Sequence, residues 1–574
     1  MPRIRKIEVA NFRGVQQFSW LPSGGINCLV GPGDSGKSSI LDAIDLCLGA
    51  RRTYQFTDAD FHNLDVAKPI RISLTIGELD DALKTMEGYG MFLRGFHAAT
   101  GDIEDEPERD AETVLTLTLT VAGDLEPVWT LESQRAAAQN VARNLNWADR
   151  ARISPTRIGA VGDYNLGWRH GSVLNRLSDE RAHASAALAT AAREARASFG
   201  DQAEQQLGET LAIVTETAKD LGVPVGDRVK AMLDAHSVSF SGGTICLHDE
   251  AGVPLRNLGL GSIRLLTAGL QRKAADQSTI ILIDELEHGL EPHRIIRFLG
   301  ALGAKERQPP LQAFITTHSP VALRELSGKQ LFVVRQVGTR HEAPEVGTEN
   351  DIQSTIRLFP DAFLASSVII CEGASEVGLI RGLDQFRSAN GSISISSLGV
   401  ALVDSGGAEP DRPIVRAEVF RGLGYRTAVV RDDDQRPAQA VEREFKDAGG
   451  TVLAWRDGRA LEDELFLSLT DASVDKVIAY ATELHGEDLL NDHIKSATRN
   501  TKDLATILLY EGYTPENRAI LGRAARTRKA GGFKSVTWME EVGRVIVGPD
   551  LANAETGFCE IIESIFVWAG GAGA

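Results

Sequence analysis

The chain has 574 residues, more than one hydrophobic core usually accommodates, so we expect two large domains and an insertion. Hydrophobic residues make up 43% and charged residues 24%, a composition typical of globular proteins and not of disordered ones. The net charge of −18 argues against a protein that coats nucleic acid nonspecifically, although it leaves room for a local basic channel.

Membrane and disulfide-stabilised classes are also disfavoured. The N-terminal residues lack an apolar signal core, and no stretch approaches the ~20 apolar residues that span a bilayer, so we expect a cytoplasmic protein without membrane contact. The five cysteines lack the spacing of a zinc site or a disulfide framework, which predicts buried free thiols.

Strand patterns dominate the first part of the chain. Residues 4–12, 70–77 and 113–121 alternate with a period of two, and the acidic stretch around 102–110 predicts an exposed loop. The apolar run at 26–30 leads into the glycine-rich segment GPGDSGKSS, after which a helix is expected at 40–48. Strand, glycine loop and helix in this order form the context of a phosphate-binding loop.

The middle of the chain changes in composition. Residues 177–236 are rich in Ala, Glu, Gln and Arg, which predicts a helical insertion, and strands expected at 238–240 and 244–247 return the chain to the first domain. Strands at 279–283, 311–316 and 331–334 alternate with helical segments and predict a parallel α/β sheet.

A looser stretch at 338–354 is the best candidate for a boundary. We expect a first domain at 1–345, a linker at 346–364 and a second α/β domain at 365–574. Strands of the second domain are expected at 367–371, 427–430 and 451–454.

The glycine-rich segment fits G-x-x-x-x-G-K-[ST] at every position. We expect ATP to be bound by its residues Gly31, Gly33, Asp34, Ser35, Gly36, Lys37, Ser38 and Ser39. Main-chain N–H groups of such a loop surround the phosphates, and the helix N-terminus adds a positive dipole. Lys37 would reach the β and γ phosphates, and Ser38 would bind Mg²⁺.

An acidic pair ends a later apolar strand, in IILIDELEHGLEP. Asp284 would orient Mg²⁺ through water, and Glu285 would polarise the attacking water as general base. After the next strand, TTHSP places His318 at a strand end, where we expect it to contribute to the nucleotide site.

Carboxylates also end two strands of the second domain. Glu372 ends the strand in VIICEGASEV, with Glu376 one helical turn later, and AVVRDDDQ ends another strand with Asp432 and Asp434. Carboxylates that converge from strand ends can hold two divalent ions, and hard oxygen ligands suit Mg²⁺ or Mn²⁺.

Two later segments bear on the same site. Glu462 and Glu464 in ALEDELF share one face if that segment is a strand, and both are candidate metal ligands. The segment 517–538 contains no acidic residue, which predicts either a DNA-binding channel or a solvated basic helix; its basic residues are Arg518, Arg523, Arg526, Arg528, Lys529 and Lys534.

The nucleotide motifs, with the opening IRKIEVANFRG, resemble the ABC-type ATPase heads of the structural-maintenance-of-chromosomes and RecF-like group. NLGLGSIRLL is similar to a degenerate signature motif of that group. The resemblance implies that Gly259, Gly261 and Ser262 cap the γ-phosphate of a second protomer, so that the heads form a homodimer. It also implies that Glu287 to Leu290 form the D-loop.

E-G-x-S-E followed by D-x-D resembles the Toprim domain of topoisomerases, primases and certain nucleases. An ABC-type head with a helical insertion followed by Toprim resembles the OLD (overcoming lysogenization defect) nucleases over nearly the whole chain, with a layout similar to the nuclease subunit of Gabija-type antiphage systems. The resemblance implies that Lys534, in GGFKS, neutralises charge on the scissile phosphate.

Three functions are compatible with these patterns. The leading hypothesis is a nucleotide-regulated, Mg²⁺- or Mn²⁺-dependent endonuclease acting on double-stranded DNA in antiphage defence. Its partners would be a second copy, with a tetramer as an extension, and a helicase-like protein. The alternative is an ATP-driven DNA-binding or repair clamp with a non-cleaving Toprim domain. A topoisomerase or primase is disfavoured because no tyrosine-bearing DNA-breaking domain or zinc module is evident.

Overall fold

The computed structural model describes residues 2–51, 54–159, 163–166, 172–177, 184–220, 224, 226–231, 247–275, 279–407, 409–456, 458–527 and 534–571. The strand expected at 238–240 and residues 244–246 of the strand expected at 244–247 lie outside these residues, as do Arg528, Lys529, Gly532 and Phe533.

The strands of the described part, in chain order, are β1 (Arg3–Phe12), β2 (Val15–Trp20), β3 (Ile26–Val30), β4 (Ile70–Gly77), β5 (Arg94–Phe96), β6 (Ile103–Glu104), β7 (Glu112–Val121), β8 (Pro127–Leu131), β9 (Thr156–Ile158), β10 (Ile280–Ile283), β11 (Gln312–Thr316), β12 (Leu331–Val333), β13 (Arg335–Val337), β14 (Arg340–Glu342), β15 (Ser367–Cys371), β16 (Val400–Asp404), β17 (Arg426–Arg431) and β18 (Thr451–Ala454).

The α-helices are α1 (Lys37–Leu48), α2 (Met86–Tyr89), α3 (Gln134–Ala138), α4 (Trp147–Ile153), α5 (Val173–Leu177), α6 (Ala184–Asp220), α7 (Leu260–Lys273), α8 (Pro292–Ala301), α9 (Pro320–Glu325), α10 (Asn350–Leu358), α11 (Ala374–Ala389), α12 (Arg412–Gly422), α13 (Gln439–Asp447), α14 (Leu461–Ser468), α15 (Asp471–His485), α16 (Glu487–Thr498), α17 (Pro515–Ala525), α18 (Val536–Glu541), α19 (Gly548–Asp550) and α20 (Thr556–Gly570). Two π-helical segments, Thr506–Glu511 and Val542–Val547, lie among the last of these. None of the described helices combines the length and apolar composition that a bilayer crossing requires.

Within the described residues the strands form three sheets. The first has nine strands, ordered β13-β14-β2-β1-β4-β7-β5-β6 with β8 beside β7, and is mostly antiparallel. The second has the order β12-β3-β11-β10-β9 and is parallel throughout. The third, β16-β15-β17-β18, is also parallel. In both parallel sheets, the loops that carry the expected site residues lie at the carboxyl ends of the strands, where α/β proteins bind ligands.

Buried strands explain why the second and third sheets form. All five residues of β3 and all five of β15 are buried, as expected for central parallel strands covered by helices on both faces. One hydrophobic core contains side chains from both sheets, such as Ile283 and Val429, together with Phe363 from the segment before β15, so the two sheets pack in one continuous interior. This shared core fixes the position of the two parallel sheets, and of the loops at the carboxyl ends of their strands, relative to each other.

Most strands expected from the pattern are confirmed, including 26–30, 70–77, 367–371 and 451–454. Helix α6, with 37 residues, lies within the expected helical insertion. The segment expected as a linker, 346–364, contains α10 and a 3₁₀ turn at Pro360–Leu364. Val346, Ile356 and Phe363 are buried there, since their apolar side chains fill the core between the sheets.

Candidate functional site

The phosphate loop follows β3 and ends at the first residue of α1. Gly31 has φ +131°, and a Cβ atom there would lie 2.7 Å from the carbonyl oxygen of Val334. Gly36, with φ +85°, forms the N-cap of α1 and lies against Val15 and His341. Both positions favour glycine because their φ angles are positive, and Gly31 also has no room for a Cβ atom beside Val334.

Lys37 is folded into this loop. Its Nζ atom donates hydrogen bonds to the carbonyl oxygens of Gly31 (3.1 Å) and Pro32 (2.6 Å) and to Ser35 Oγ (3.1 Å). Burial lowers the pKa of Lys37 to about 8, although the charges of Asp34 and Asp284 oppose that effect. The ammonium group thus lies where the loop's main chain surrounds it, a position from which it can reach a phosphate.

Asp284 comes directly after β10 and meets the loop. Its Oδ1 atom accepts hydrogen bonds from Ser38 Oγ (3.1 Å) and Thr316 Oγ1 (2.6 Å). Arg157 on β9 lies 3.6 Å from Asp284 Oδ2 and also pairs with Asp42 on α1. Two oxygen atoms suited to Mg²⁺, Ser38 Oγ and an Asp284 carboxylate oxygen, are therefore adjacent. Arg157 and Thr316 were not anticipated, because an isolated strand residue carries no motif.

Glu285 follows with φ +48°, an unusual conformation for a side chain other than glycine. Its side chain is 65% exposed at the strand end. His318 lies at the end of β11 with an exposed ring, and its main-chain N–H donates to Glu287 Oε1 (2.8 Å). The expected nucleotide residues thus come from three adjacent strands of the parallel sheet.

Gly261 and Ser262 lie in the first turn of α7, against the segment that follows Glu285. A Cβ atom on Gly261 would lie 2.2 Å from the carbonyl oxygen of Gly289. Ser262 Oγ accepts a hydrogen bond from Arg294 Nη1 (3.1 Å). The expected signature segment is therefore packed against the expected D-loop at Gly289 and is bonded to helix α8 at Arg294.

A second group of functional side chains lines a cavity of about 700 Å³ at the carboxyl edge of the third sheet. Glu372 follows β15, and its Oε2 atom accepts the N–H of Asp432 (2.9 Å). Glu376, in the first turn of α11, accepts the N–H of Gly373 (2.9 Å), and Asp432 Oδ1 accepts the N–H of Leu461 (2.9 Å). Main-chain amides therefore orient three of the expected carboxylates.

The carboxylates of this cavity outnumber the basic side chains that could neutralise them. Burial, together with neighbouring carboxylates, raises the pKa of Glu372 and of Asp432, and raises that of Glu376 to about 8. Burial also raises the pKa of Glu462, although Lys534 and Arg526 oppose it. Raised pKa values in a cluster mean that the carboxylates repel one another when ionised, a state that a bound cation would relieve.

Two basic side chains line the same cavity. Arg526 Nη1 pairs with Asp434 (3.0 Å) and lies 3.4 Å from Asp463. Lys534 is exposed, and its Nζ donates to the carbonyl oxygen of Arg526 (3.1 Å). Arg518, in contrast, is used structurally, because its Nη1 atom donates to the carbonyl oxygen of Leu469 (2.8 Å).

The expectation for ALEDELF is wrong in part, because the segment forms helix α14 and not a strand. Residues two apart on a helix point to nearly opposite sides. Glu462 consequently lines the cavity, whereas Glu464 accepts hydrogen bonds from Arg456 Nε (2.8 Å) and Ser468 Oγ (2.7 Å). Glu464 is fully buried in that ion pair, which lowers its pKa against the effect of burial.

Asp404 is an acid of the cavity that the sequence analysis missed. It ends β16, as Glu372 follows β15, and its Oδ1 atom accepts the N–H of Gly406 (2.7 Å). The strand VALVD before a glycine pair was a usable signal, since an acid at a strand end resembles the other two positions.

The hard oxygen donors of this cavity fit Mg²⁺ or Mn²⁺ in kind and in charge. Across the described ranges, however, no three acidic, histidine or cysteine side chains stand within coordinating distance of one point. Three of these carboxylates, those of Glu372, Glu376 and Asp432, each accept a hydrogen bond from a different main-chain N–H group.

Comparisons with known proteins find one short sequence similarity and several similarities of structure. An OLD nuclease of Thermus scotoductus is 36% identical over 75 residues, and the match spans 12% of this chain and 14% of that protein. The SmcHead bound to the C-winged helix domain of ScpA aligns with a TM-score of 0.32 and 17% identity over 59% of this chain and 96% of that chain. The SMC head domain from Thermotoga maritima aligns with a TM-score of 0.30 and 15% identity over 60% of this chain and 100% of that chain.

One family model covers just over half of the chain, residues 26–324, and that range contains the phosphate loop, Asp284 and Glu285. This chain carries an AAA-type ATPase domain and belongs to the family described as "AAA domain, putative AbiEii toxin, Type IV TA system".

Proposed function

We propose that this protein is a nucleotide-regulated, metal-dependent endonuclease of double-stranded DNA that serves in antiphage defence. The observation that carries the nuclease assignment is the cavity in which Glu372, Glu376, Asp432 and Glu462 meet Lys534. An acidic cluster that a bound cation would stabilise, next to the exposed ammonium group of Lys534, suits a phosphodiester better than a neutral substrate. The short similarity to a protein named OLD nuclease agrees with it.

Each side chain has a role in this proposal. Glu372, Glu376, Asp432, Asp434 and Glu462 would hold the divalent ions. When bound, Mg²⁺ or Mn²⁺ supplies Lewis acidity to the phosphodiester.

The basic groups of the cavity have a separate role. Lys534 would neutralise charge on the scissile phosphate, because its ammonium group is exposed at the cavity and donates to a main-chain carbonyl oxygen, that of Arg526. Arg526 would orient Asp434 through their 3.0 Å ion pair.

The ATP site completes the proposal. Lys37 would bind the β and γ phosphates, and Ser38 with Asp284 would hold Mg²⁺, since their oxygens already lie 3.1 Å apart. Glu285 would act as general base on the attacking water. Gly261 and Ser262 would contact the nucleotide of a second copy, so we propose a homodimer whose stability increases with ATP.

Regulation is proposed from a short connection between the two sites. Val334 N–H donates to the carbonyl oxygen of Val30 (2.8 Å), and the Val334 carbonyl group lies against Gly31 of the phosphate loop. The next residue, Arg335, donates to the carbonyl oxygens of Ala365 (3.1 Å) and Ser366 (3.2 Å) at the start of β15. Movement of the loop would therefore be transmitted to the strand that ends before Glu372.

The plasmid test uses a matched pair of neighbouring acids. Supercoiled plasmid is incubated with Mg²⁺ or Mn²⁺, with and without ATP, and nicked and linear products are measured. Asp432→Asn should abolish cleavage. Asp433→Asn should retain it, because Asp433 is directed away from the cavity into ion pairs with Arg431 (3.0 Å) and Arg436 (2.6 Å). Cleavage that survives both Asp432→Asn and Glu372→Gln would contradict the nuclease assignment.

The spacing of the cavity carboxylates favours one alternative, an ATP-driven DNA-binding or repair clamp with a non-cleaving second domain. It predicts DNA binding that depends on Lys37 but no cutting with either metal. A helicase-like partner is a further proposal, tested by comparing cleavage of the purified chain with cleavage in the presence of that partner.

A further inference from the structure

Helix α7 carries a completely buried arginine. Arg264 has no exposed surface, and its guanidinium group donates hydrogen bonds to three main-chain carbonyl oxygens. Nη1 bonds to the carbonyl oxygens of Glu285 (3.0 Å) and His288 (2.7 Å), and Nη2 bonds to that of Asp284 (3.2 Å). All three carbonyl groups belong to the loop that follows β10.

Burying this group is costly. Burial lowers the pKa of Arg264, although the charges of Glu287, Glu285 and Asp284 oppose the shift. An arginine is seldom fully buried unless most of its donors are used, because desolvation of a cation is unfavourable; here Nη1 and Nη2 are bonded, whereas Nε is not. An apolar residue would fill the same space without that cost. The planar fork of the guanidinium group, however, can hold several carbonyl groups at once.

The loop that Arg264 holds is strained at Glu285. The left-handed conformation of Glu285, with φ +48°, is unfavourable for a residue with a side chain. Its N–H donates to Thr316 Oγ1 (2.9 Å), and its carbonyl oxygen accepts from Arg264 (3.0 Å). The main chain of Glu285 is thus held on both sides, which sets the direction of its side chain.

The start of α7 is packed against the same loop. The close approach of Gly261 to Gly289 leaves no room for a Cβ atom, and Ser262 accepts a hydrogen bond from Arg294 on α8, the helix that follows this loop. Displacement of the first turns of α7 would therefore carry Arg264, and with it the carbonyl group of Glu285.

We propose that Arg264 is a positioning residue for ATP hydrolysis, which holds the strained main chain of Glu285 so that its carboxylate faces the attacking water. The inference rests on the proposed roles of Glu285 and the phosphate loop. It adds that the segment Gly259 to Ser262 is coupled to Glu285 within one chain through this guanidinium group.

The test separates turnover from binding. In full-length protein, Arg264→Lys keeps the positive charge but cannot span three carbonyl groups. Steady-state ATP hydrolysis should show kcat reduced by about 100-fold, the effect of misplacing a reacting group by about 1 Å. Equilibrium binding of a nonhydrolysable ATP analogue should stay within about twofold, because the phosphate loop is untouched.

The matched control is Arg272→Lys, on the same helix, where the guanidinium group contacts Ala301 and the partly exposed Glu306. It should hydrolyse ATP at the wild-type rate. Arg264→Gln, which retains amide donors without charge, provides a second variant should the lysine variant fold poorly, and thermal unfolding is measured for all of them.

Normal turnover in Arg264→Lys, together with an inactive Lys37→Ala variant, would overturn the positioning role while leaving ATP hydrolysis in place. Parallel loss of analogue binding and kcat in both Arg264 variants would also overturn it, since a structural role predicts that pattern. Absence of ATP hydrolysis in the wild type would instead refute the proposed function, and this inference with it.

Discussion

Replacing one buried acid of the cavity should make the metal-free protein more stable. Glu376 is 3% exposed, and burial together with the charges of Glu462 and Glu372 raises its pKa from 4.5 to about 8. The folded state then binds the proton more tightly than the unfolded state, so stability falls as the pH rises from about 4.5 to 8. We expect Glu376→Gln, measured in EDTA, to remove this loss.

The size of the effect follows from the pKa difference. Each pH unit above 4.5 costs the folded protein about 1.4 kcal/mol until the pH approaches the folded pKa. At pH 7 the wild type has therefore lost about 3 kcal/mol that the glutamine variant keeps. Glutamine also retains an oxygen that can accept the N–H of Gly373, so the start of α11 should be preserved.

Urea unfolding in EDTA at pH 5 and pH 7 provides the measurement. The stability gain of Glu376→Gln should be small at pH 5 and large at pH 7, whereas added Mg²⁺ should stabilise the wild type and not the variant. Glu464→Gln is the opposite control, because its carboxylate is buried in an ion pair with Arg456 and its loss should destabilise the fold. A glutamine variant at 376 no more stable than the wild type at pH 7 would refute the reasoning.

Three further predictions concern the ATP site, the connection between sites and the first sheet. Gly31→Ala should weaken binding of an ATP analogue by about tenfold or more, since an alanine with positive φ is strained by about 1–3 kcal/mol and its Cβ atom meets Val334. The control variant Gly300→Ala, whose Cβ atom would enter open space, should bind the analogue normally. Equal affinities of the two variants for the analogue would contradict this prediction. Arg335→Ala should abolish the response of plasmid cleavage to ATP, a coupling of about 1–3 kcal/mol, while ATP hydrolysis persists. If the ratio of cleavage rates with and without ATP is the same in this variant as in the wild type, Arg335 does not connect the two sites. Asp105→Asn should lower the free energy of unfolding in urea by about 1–2 kcal/mol at pH 7, because main-chain N–H groups and arginines lower the pKa of Asp105 against the effect of burial. The difference in stability between variant and wild type should disappear as the pH falls below about 4. A difference that does not change with pH would disprove this prediction.

The sequence determined those features whose chemistry is local. The phosphate loop was predictable because Gly31, Gly36, Lys37 and Ser38 act through main-chain geometry within a few residues. The acids Glu372 and Asp432 were predictable as a pair for a related reason. Each follows a buried parallel strand, and such strands bring their carboxyl ends to one edge.

Tertiary structure decided which of the remaining polar residues meet. Glu462 and Glu464 differ by two positions, and only the helical form of α14 together with the location of Arg456 separates a cavity residue from a structural one. Arg264 carried no motif of its own, and its importance depends on burial against carbonyl groups from a distant loop. Val334 is bonded to Val30 of β3, and Arg335 is bonded to the two residues before β15, so the proposed connection between the sites depends on long-range packing and not on local sequence.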